Sequence, residues 1–210
     1  MRDLVPVALP FNLSYSLVGS KQSPYATPKQ VIDAAKANPG KLTLANAGRG
    51  TGQHILGAAF MKVTATQMLE VPYRGSTAVY PDLLSGRVDL FVDSTTAALP
   101  YIKSGDVNGI AILAARRSPL APDLPTMTEA GVPGLEIEGW VGLFTPAMTP
   151  PDAIARLQRA IANAMVELKP RFEAAGGEPM YLPPDQLKSY LQADYDKWIK
   201  IIRDADIRLE

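Results

Sequence analysis

Short apolar runs alternate along this chain with stretches in which apolar side chains recur every three or four residues, the patterns of buried strands and of amphipathic helices. Residues 4–20, from Leu4-Val5-Pro6-Val7-Ala8-Leu9 to Tyr15-Ser16-Leu17-Val18-Gly19, read as one extended apolar segment. Thr27-Pro28-Lys29-Gln30 predicts a helix start: Thr27 caps, Pro28 suits the first turn and Gln30 completes a capping box. Pro39-Gly40 ends that helix. Strands are then expected at 42–45, 67–71, 88–92 and 109–114, with helices at 53–63, 76–85 and 95–104. Short apolar strands separated by helices imply a largely parallel sheet covered on both faces.

Three prolines fall within Arg116 to Pro125, a connector too short to be a disordered linker. Beyond it a strand is expected over 135–144. A long amphipathic helix then starts at Thr149-Pro150-Pro151-Asp152, with Ile154, Leu157, Ile161, Ala164, Met165 and Leu168 inward. Met180-Tyr181-Leu182 reads as a short strand. Residues 185–204 form a last helix, with Leu187, Leu191, Tyr195, Trp198 and Ile202 on one face.

The candidate chemistry lies in the turns after the strands. Asn46-Ala47-Gly48-Arg49-Gly50-Thr51-Gly52-Gln53-His54 places three glycines and a hydroxyl between a strand and a helix. Glycines let the backbone approach a ligand, and the unpaired amides of a helix start suit an anion. The spacing matches neither the dinucleotide fingerprint, which needs Gly or Ala where Gln53 stands, nor a phosphate loop, which needs Gly-Lys-Ser/Thr. A tight structural turn without a ligand is the alternative. Arg49 either pairs with a second carboxylate or is solvated. Ser76 is expected to cap the next helix. Asp93 and Ser94 follow the strand 88–92 at the same sheet edge, where Asp93 binds an amino or hydroxyl group of a solute or only orients a loop. His54 either touches a ligand or is a structural histidine bonded to a neighbouring turn, and Trp140 is read as packing.

Composition narrows the classes. Lys plus Arg and Asp plus Glu are balanced at 21 each, so no basic footprint points to nucleic acid. The absence of cysteine excludes disulfides, thiolate catalysis and cysteine-ligated metal. One histidine excludes a multi-histidine centre within one chain; no cofactor and no metal are expected. There is no run of 18 apolar residues, and Met1 to Pro6 lacks the pattern of a secretory signal. The chain as given is therefore expected in the cytoplasm unless an export signal lies outside it.

Six landmarks occur in order: Ala47-Gly48-x-Gly50-Thr51-x-x-His54; Val71-Pro72-Tyr73-Arg74-Gly75-Ser76; Asp93-Ser94; Arg117-Ser118-Pro119 through Asp123-Leu124-Pro125-Thr126; Glu129-Ala130-Gly131; and Trp140-x-Gly142-Leu143 with Pro146. Together they resemble the tripartite tricarboxylate transporter receptors, the extracytoplasmic solute-binding proteins also called Bug receptors. The resemblance implies an α/β fold of the type II periplasmic-binding-protein kind, with two lobes and parallel-rich sheets, and a location in the periplasm. It implies a non-catalytic receptor that holds a small carboxylate by backbone amides and hydroxyls and feeds membrane transporter subunits. On that basis Ala47, Gly48, Gly50, Thr51, His54, Ser76, Asp93 and Ser94 are the candidate ligand-binding residues, with no catalytic residue.

The resemblance also suggests boundaries: residues 1–23 and 116–210 as the remnant of lobe 1, and 24–115 as lobe 2. Family members begin with a further strand and loop that this chain lacks, so the first lobe is expected to be incomplete, with weak binding or a homodimer as the consequence. Two other functions compete. A serine-type ester hydrolase would have to use His54 as base, with Ser76 or Ser94 as nucleophile and Asp93 as partner, but no Gly-x-Ser-x-Gly elbow is present. The effector domain of a transcription regulator shares the fold; no helix-turn-helix is seen.

Overall fold

The apolar segment 4–20 forms two strands separated at Ser14, and they join different sheets: β1 (Leu4–Leu13) and β2 (Tyr15–Ser20). All six residues of β2 are buried. Burial along its whole length, with only small polar residues among the apolar ones, is what a position inside a sheet covered on both faces requires. The computed structural model describes residues 3–119, 121–174 and 178–207. It divides into two units, one of Met1–Leu13 with Gly139–Ile199 and one of Ser14–Glu138 with Lys200–Glu210.

The larger unit holds a five-stranded sheet. Its further strands are β3 (Thr43–Asn46), β4 (Leu69–Pro72), β5 (Leu90–Ser94) and β6 (Val107–Ile112), in the order β4-β3-β5-β2-β6. β3 is parallel to β4 and β5, whereas β2 is antiparallel to both β5 and β6. The parallel character expected from the alternating pattern is present, with one reversed strand inserted.

Helix α1 (Pro28–Ala37) starts with the foreseen capping box at Thr27 and Gln30. Helix α2 (Gly52–Thr64) packs closely on β3 and β5; a Cβ on Gly57 would stand 3.0 Å from Leu44 Cδ2, so a side chain there has to displace the end of that leucine. The opposite face carries α3 (Tyr80–Leu84) and α4 (Thr95–Ser104) over Val18, Ala45 and Phe91, with Tyr80, Leu83 and Ala98 in the same core. Each large apolar side chain so buried contributes about 1.5–3 kcal/mol.

Several boundaries differ from the sequence reading. The helix expected over 76–85 is a 3-10 turn, Ser76–Ala78, followed by α3, and Gly75 rather than Ser76 stands at the cap with no side-chain bond. Residues 15–20, expected in the first lobe, lie within the sheet of the larger unit. Residues 116–138 also belong there, tied by Ile112 N–H to Pro125 O, Met127 N–H to Ile112 O and Ile137 N–H to Leu113 O. These long-range backbone bonds are invisible in a local pattern; with Lys200–Glu210 also in the larger unit, the boundaries between units fall at 13/14, 138/139 and 199/200.

The smaller unit has a sheet ordered β7-β1-β8, with β7 (Gly139–Pro146) and β8 (Glu178–Pro179) both antiparallel to β1. Only the latter part of the strand expected over 135–144 is a strand, and β8 precedes Met180. Helices α5 (Pro151–Ala174) and α6 (Pro184–Asp204) cover the long amphipathic stretches, but Leu157 and Tyr195, expected on the inward faces, are exposed. Leu9 packs with Leu187, Leu191, Phe144 and Trp140. The Trp140 Nε1–H donates to buried Asp194 Oδ2 at 2.7 Å, so this side chain is packing, as its apolar surroundings suggested.

Candidate functional site

Parallel β3, β4 and β5 end at one edge of the sheet, and their three following turns meet there, where open α/β sheets bind ligands. Backbone bonds tie the first turn to the second: Tyr73 N–H donates to Asn46 O at 2.9 Å and Gly75 N–H to Ala47 O at 3.0 Å. The Ser76 hydroxyl donates to Asp93 Oδ1 at 2.8 Å and so joins the second turn to the third. Gln53, on the first turn of α2, places Nε2 3.3 Å from Ser76 Oγ and 3.4 Å from Asp93 Oδ1. The candidate residues thus form one bonded group.

The glycine turn is shaped by its own bonds. Gly48 has φ of 126°, which a side chain would strain, and its N–H donates to Asn46 Oδ1 at 3.0 Å. The Gly50 N–H donates to His54 Nδ1 at 3.1 Å. Thr51 caps α2: its hydroxyl donates to Gly48 O at 2.7 Å and accepts from His54 N–H at 3.3 Å. The amides of Gly48 and Gly50, expected to face a solute, are engaged inside the turn. In the opening turn of α2, the N–H groups of Gly52 and Gln53, its first two positions, make no hydrogen bond to a described residue. Helix geometry explains this, because the opening N–H groups have no carbonyl one turn earlier. Gly52 sits against Tyr15, whose hydroxyl would be 2.6 Å from any Cβ added there.

Asp93 has no exposed surface. Oδ1 accepts from Ser76, Gln53 and the Ser94 N–H (2.8 Å), and Oδ2 accepts from the Tyr80 hydroxyl at 2.8 Å. Burial raises its carboxyl above the ordinary carboxylate range, while the bonds from Ser76, Tyr80, Ser94 and Gln53 pull it down. Burial and the neighbouring Asp93 in turn raise the Tyr80 hydroxyl. Ser94 caps α4, its hydroxyl accepting from Ala97 N–H at 3.4 Å. Ser16, paired with Asp93 across the β2–β5 ladder, and Thr95 carry buried hydroxyls without a partner among the described residues.

His54 is 7 % exposed. Its Nδ1 takes the Gly50 N–H, and Nε2 lies 3.5 Å from Glu70 Oε1. Neither ring nitrogen is bonded to Ser76 or Ser94, whose hydroxyls point to Asp93 and the α4 cap. This is the arrangement of a histidine that holds a turn. A groove of 1010 Å³ flanks β4, lined by His54, Lys62, Leu69, Glu70 and Asp206 among others. Its mixed charges select neither sign of ligand, and it is not centred on Asp93. Among the described residues no three His, Cys, Asp or Glu side chains gather as a metal site, and no helix is long and apolar enough to cross a membrane.

Sequence reasoning did not pick out Gln53 or Tyr80. Both had a signal: Gln53 stands two residues after the Thr51 cap, and Tyr80 lies four residues, about one helical turn, after Ser76.

Comparison with known proteins follows the same lines. The model of the family described as tripartite tricarboxylate transporter family receptor matches residues 1–207. A protein of the tcbD-tcbE intergenic region of Pseudomonas sp. strain P51 is 34 % identical over 204 residues, which are 96 % of this chain and 61 % of that protein. The chain thus spans about 61 % of the length of that relative. A Rhodopseudomonas palustris protein solved with adipate superposes with a TM-score of 0.89 at 28 % identity, covering 98 % of this chain and 69 % of that one. MatC from the same species, with bound malate, superposes with a TM-score of 0.85 at 27 % identity, covering 95 % and 69 %.

Proposed function

We propose, from the premise that the chain belongs to the tripartite tricarboxylate transporter receptor family, that it binds a small organic carboxylate as a receptor, without chemistry. Members of the family are periplasmic binding proteins. The observation that carries the reading is the pair of unpartnered N–H groups, Gly52 and Gln53, opening a 13-residue helix beside the turns that Ser76 and Ser94 occupy. Oriented amides at a helix start stabilise an anion without a charged side chain. The bound adipate and malate of the two structural relatives are consistent with this class of solute.

In this reading Gly52 and Gln53 donate to the solute carboxylate, and the hydroxyls of Ser76 and Ser94 flank it. Ala47, Gly48, Gly50, Thr51 and His54 shape the turn, and Asp93 orients the three turns from beneath. The whole protein works with membrane transporter subunits in the periplasm. A second copy of the chain is a further partner: β7 is an edge strand with Val141 and Leu143 exposed, an open template for pairing. Light scattering that reports only a monomer removes that partner and leaves the receptor reading intact.

The test is a thermal-shift screen of dicarboxylates, tricarboxylates, aromatic acids and acidic amino acids. A ligand at 100 times its dissociation constant adds about 2.7 kcal/mol of stability. A panel in which no carboxylate raises the melting temperature refutes the function.

A further inference from the structure

Much of the hydrogen-bonding capacity of the Gln53 side chain, on the first turn of α2, is uncommitted. The residue is half-buried, its Nε2 makes only two long bonds, and its Oε1 accepts from no described residue. Its orientation is nevertheless determined. A carboxylate only accepts, so the end of the carboxamide that faces Asp93 has to be the nitrogen. Ser76 reinforces this, because its hydroxyl hydrogen goes to Asp93 and leaves its oxygen to accept from Gln53. Asp93 is itself held by Tyr80 and by the Ser94 N–H. The buried carboxylate therefore sets the polarity of the exposed end, and Oε1 is turned away from it.

We infer that Gln53, oriented by Asp93, is a specificity-determining residue that requires a hydrogen-bond donor, a hydroxyl or an ammonium group, beside the carboxylate of the solute. The inference rests on the carboxylate-receptor reading. A carboxylate oxygen suits the N–H groups of Gly52 and Gln53 but is repelled by Oε1. A hydroxyl or ammonium group on the adjoining carbon donates to Oε1 while the carboxylate accepts from the backbone of the same residue. An acid without such a group leaves Oε1 desolvated and unpaired, and a site built to bond a polar group discriminates strongly against the analogue that lacks it. Asp93 is a positioning residue here, acting on the solute only through Gln53.

The experiment is calorimetric titration of the chain with two matched sets of diacids: succinate, malate and aspartate; glutarate, 2-hydroxyglutarate and glutamate. The hydroxy or amino acid of at least one set is expected to bind about tenfold or more tighter than its unsubstituted partner. Gln53→Met, or Gln53→Ala should the first variant fail to fold, is expected to bring that ratio to about one. Asp93→Asn, checked by its circular-dichroism melt, is expected to reduce the ratio too, since the carboxamide can then turn over. A purely structural aspartate would weaken all six acids alike, which overturns its positioning role. An unchanged ratio in the Gln53 variants, or equal binding of substituted and unsubstituted acids by wild type, overturns the inference and leaves the receptor reading standing. Failure of all six acids and of the wider screen to bind overturns both.

Discussion

Replacing Tyr80 by phenylalanine removes a single oxygen from the group that joins the three turns. Packing is retained: the ring stacks on Tyr101 with centroids 3.9 Å apart and meets Phe91 edge-on at 5.9 Å. What is lost is the 2.8 Å bond to Asp93 Oδ2, a hydrogen bond to a buried charge worth about 1.5–3 kcal/mol. The loss depends on pH. Burial raises the folded carboxyl of Asp93 above its unfolded value, so this group stabilises the fold fully below the unfolded value and loses that contribution as pH rises through the folded one. The Tyr80 bond is one of the influences that lower the folded value, and its removal moves that value further up. The variant is therefore penalised most where Asp93 is ionised. In urea unfolding followed by far-UV circular dichroism, Tyr80→Phe is expected to cost about 1.5–3 kcal/mol near pH 8, and about 0.5–1.5 kcal/mol near pH 4, where only a neutral bond is lost. Equal costs at the two pH values, or less than about 0.5 kcal/mol near pH 8, would refute the picture of an ionised Asp93 held by Tyr80.

Other residues give separate tests. Gly52→Val places a Cβ where the Tyr15 hydroxyl stands 2.6 Å away, so α2 shifts and affinity for the best ligand of the screen falls about tenfold or more by calorimetry; unchanged affinity would mean that the start of α2 is not in the site. His54→Ala leaves the Gly50 N–H without its acceptor and is expected to lower stability by about 1–3 kcal/mol. The same variant should leave hydrolysis of an activated ester at the buffer rate, like wild type; a loss of about a hundredfold from a measurable rate would identify His54 as a general base and overturn the receptor reading. In the smaller unit, Trp140→Phe strips Asp194 of its indole donor and should cost about 1.5–3 kcal/mol, read from the fluorescence of Trp198; an unmoved midpoint shows that Lys197, also paired with Asp194, suffices.

The local pattern of the chain was enough for most elements, because capping, breaking and burial act over a few residues. Thr27 and Gln30 announce α1, Thr51 precedes α2, and the long periodic faces of α5 and α6 emerge close to their predicted limits. The order of strand and helix also implied that the turns after β3, β4 and β5 share a sheet edge, since parallel strands have no other arrangement of their ends. Tertiary structure decided what the sequence could not address. Apolar character alone cannot say which neighbour a strand will pair with, so residues 15–20 were grouped with β1 although they are the reversed strand between β5 and β6. Glycines at 48 and 50 announce a turn that can approach a ligand, but whether their amides face outward depends on Asn46 and His54 being near enough to accept from them. The burial of Asp93 among its hydrogen-bond partners and its contact with Gln53 arise only when three separate turns converge, because hydrogen-bond partners 17 and 40 residues apart in sequence leave no periodic trace along the chain.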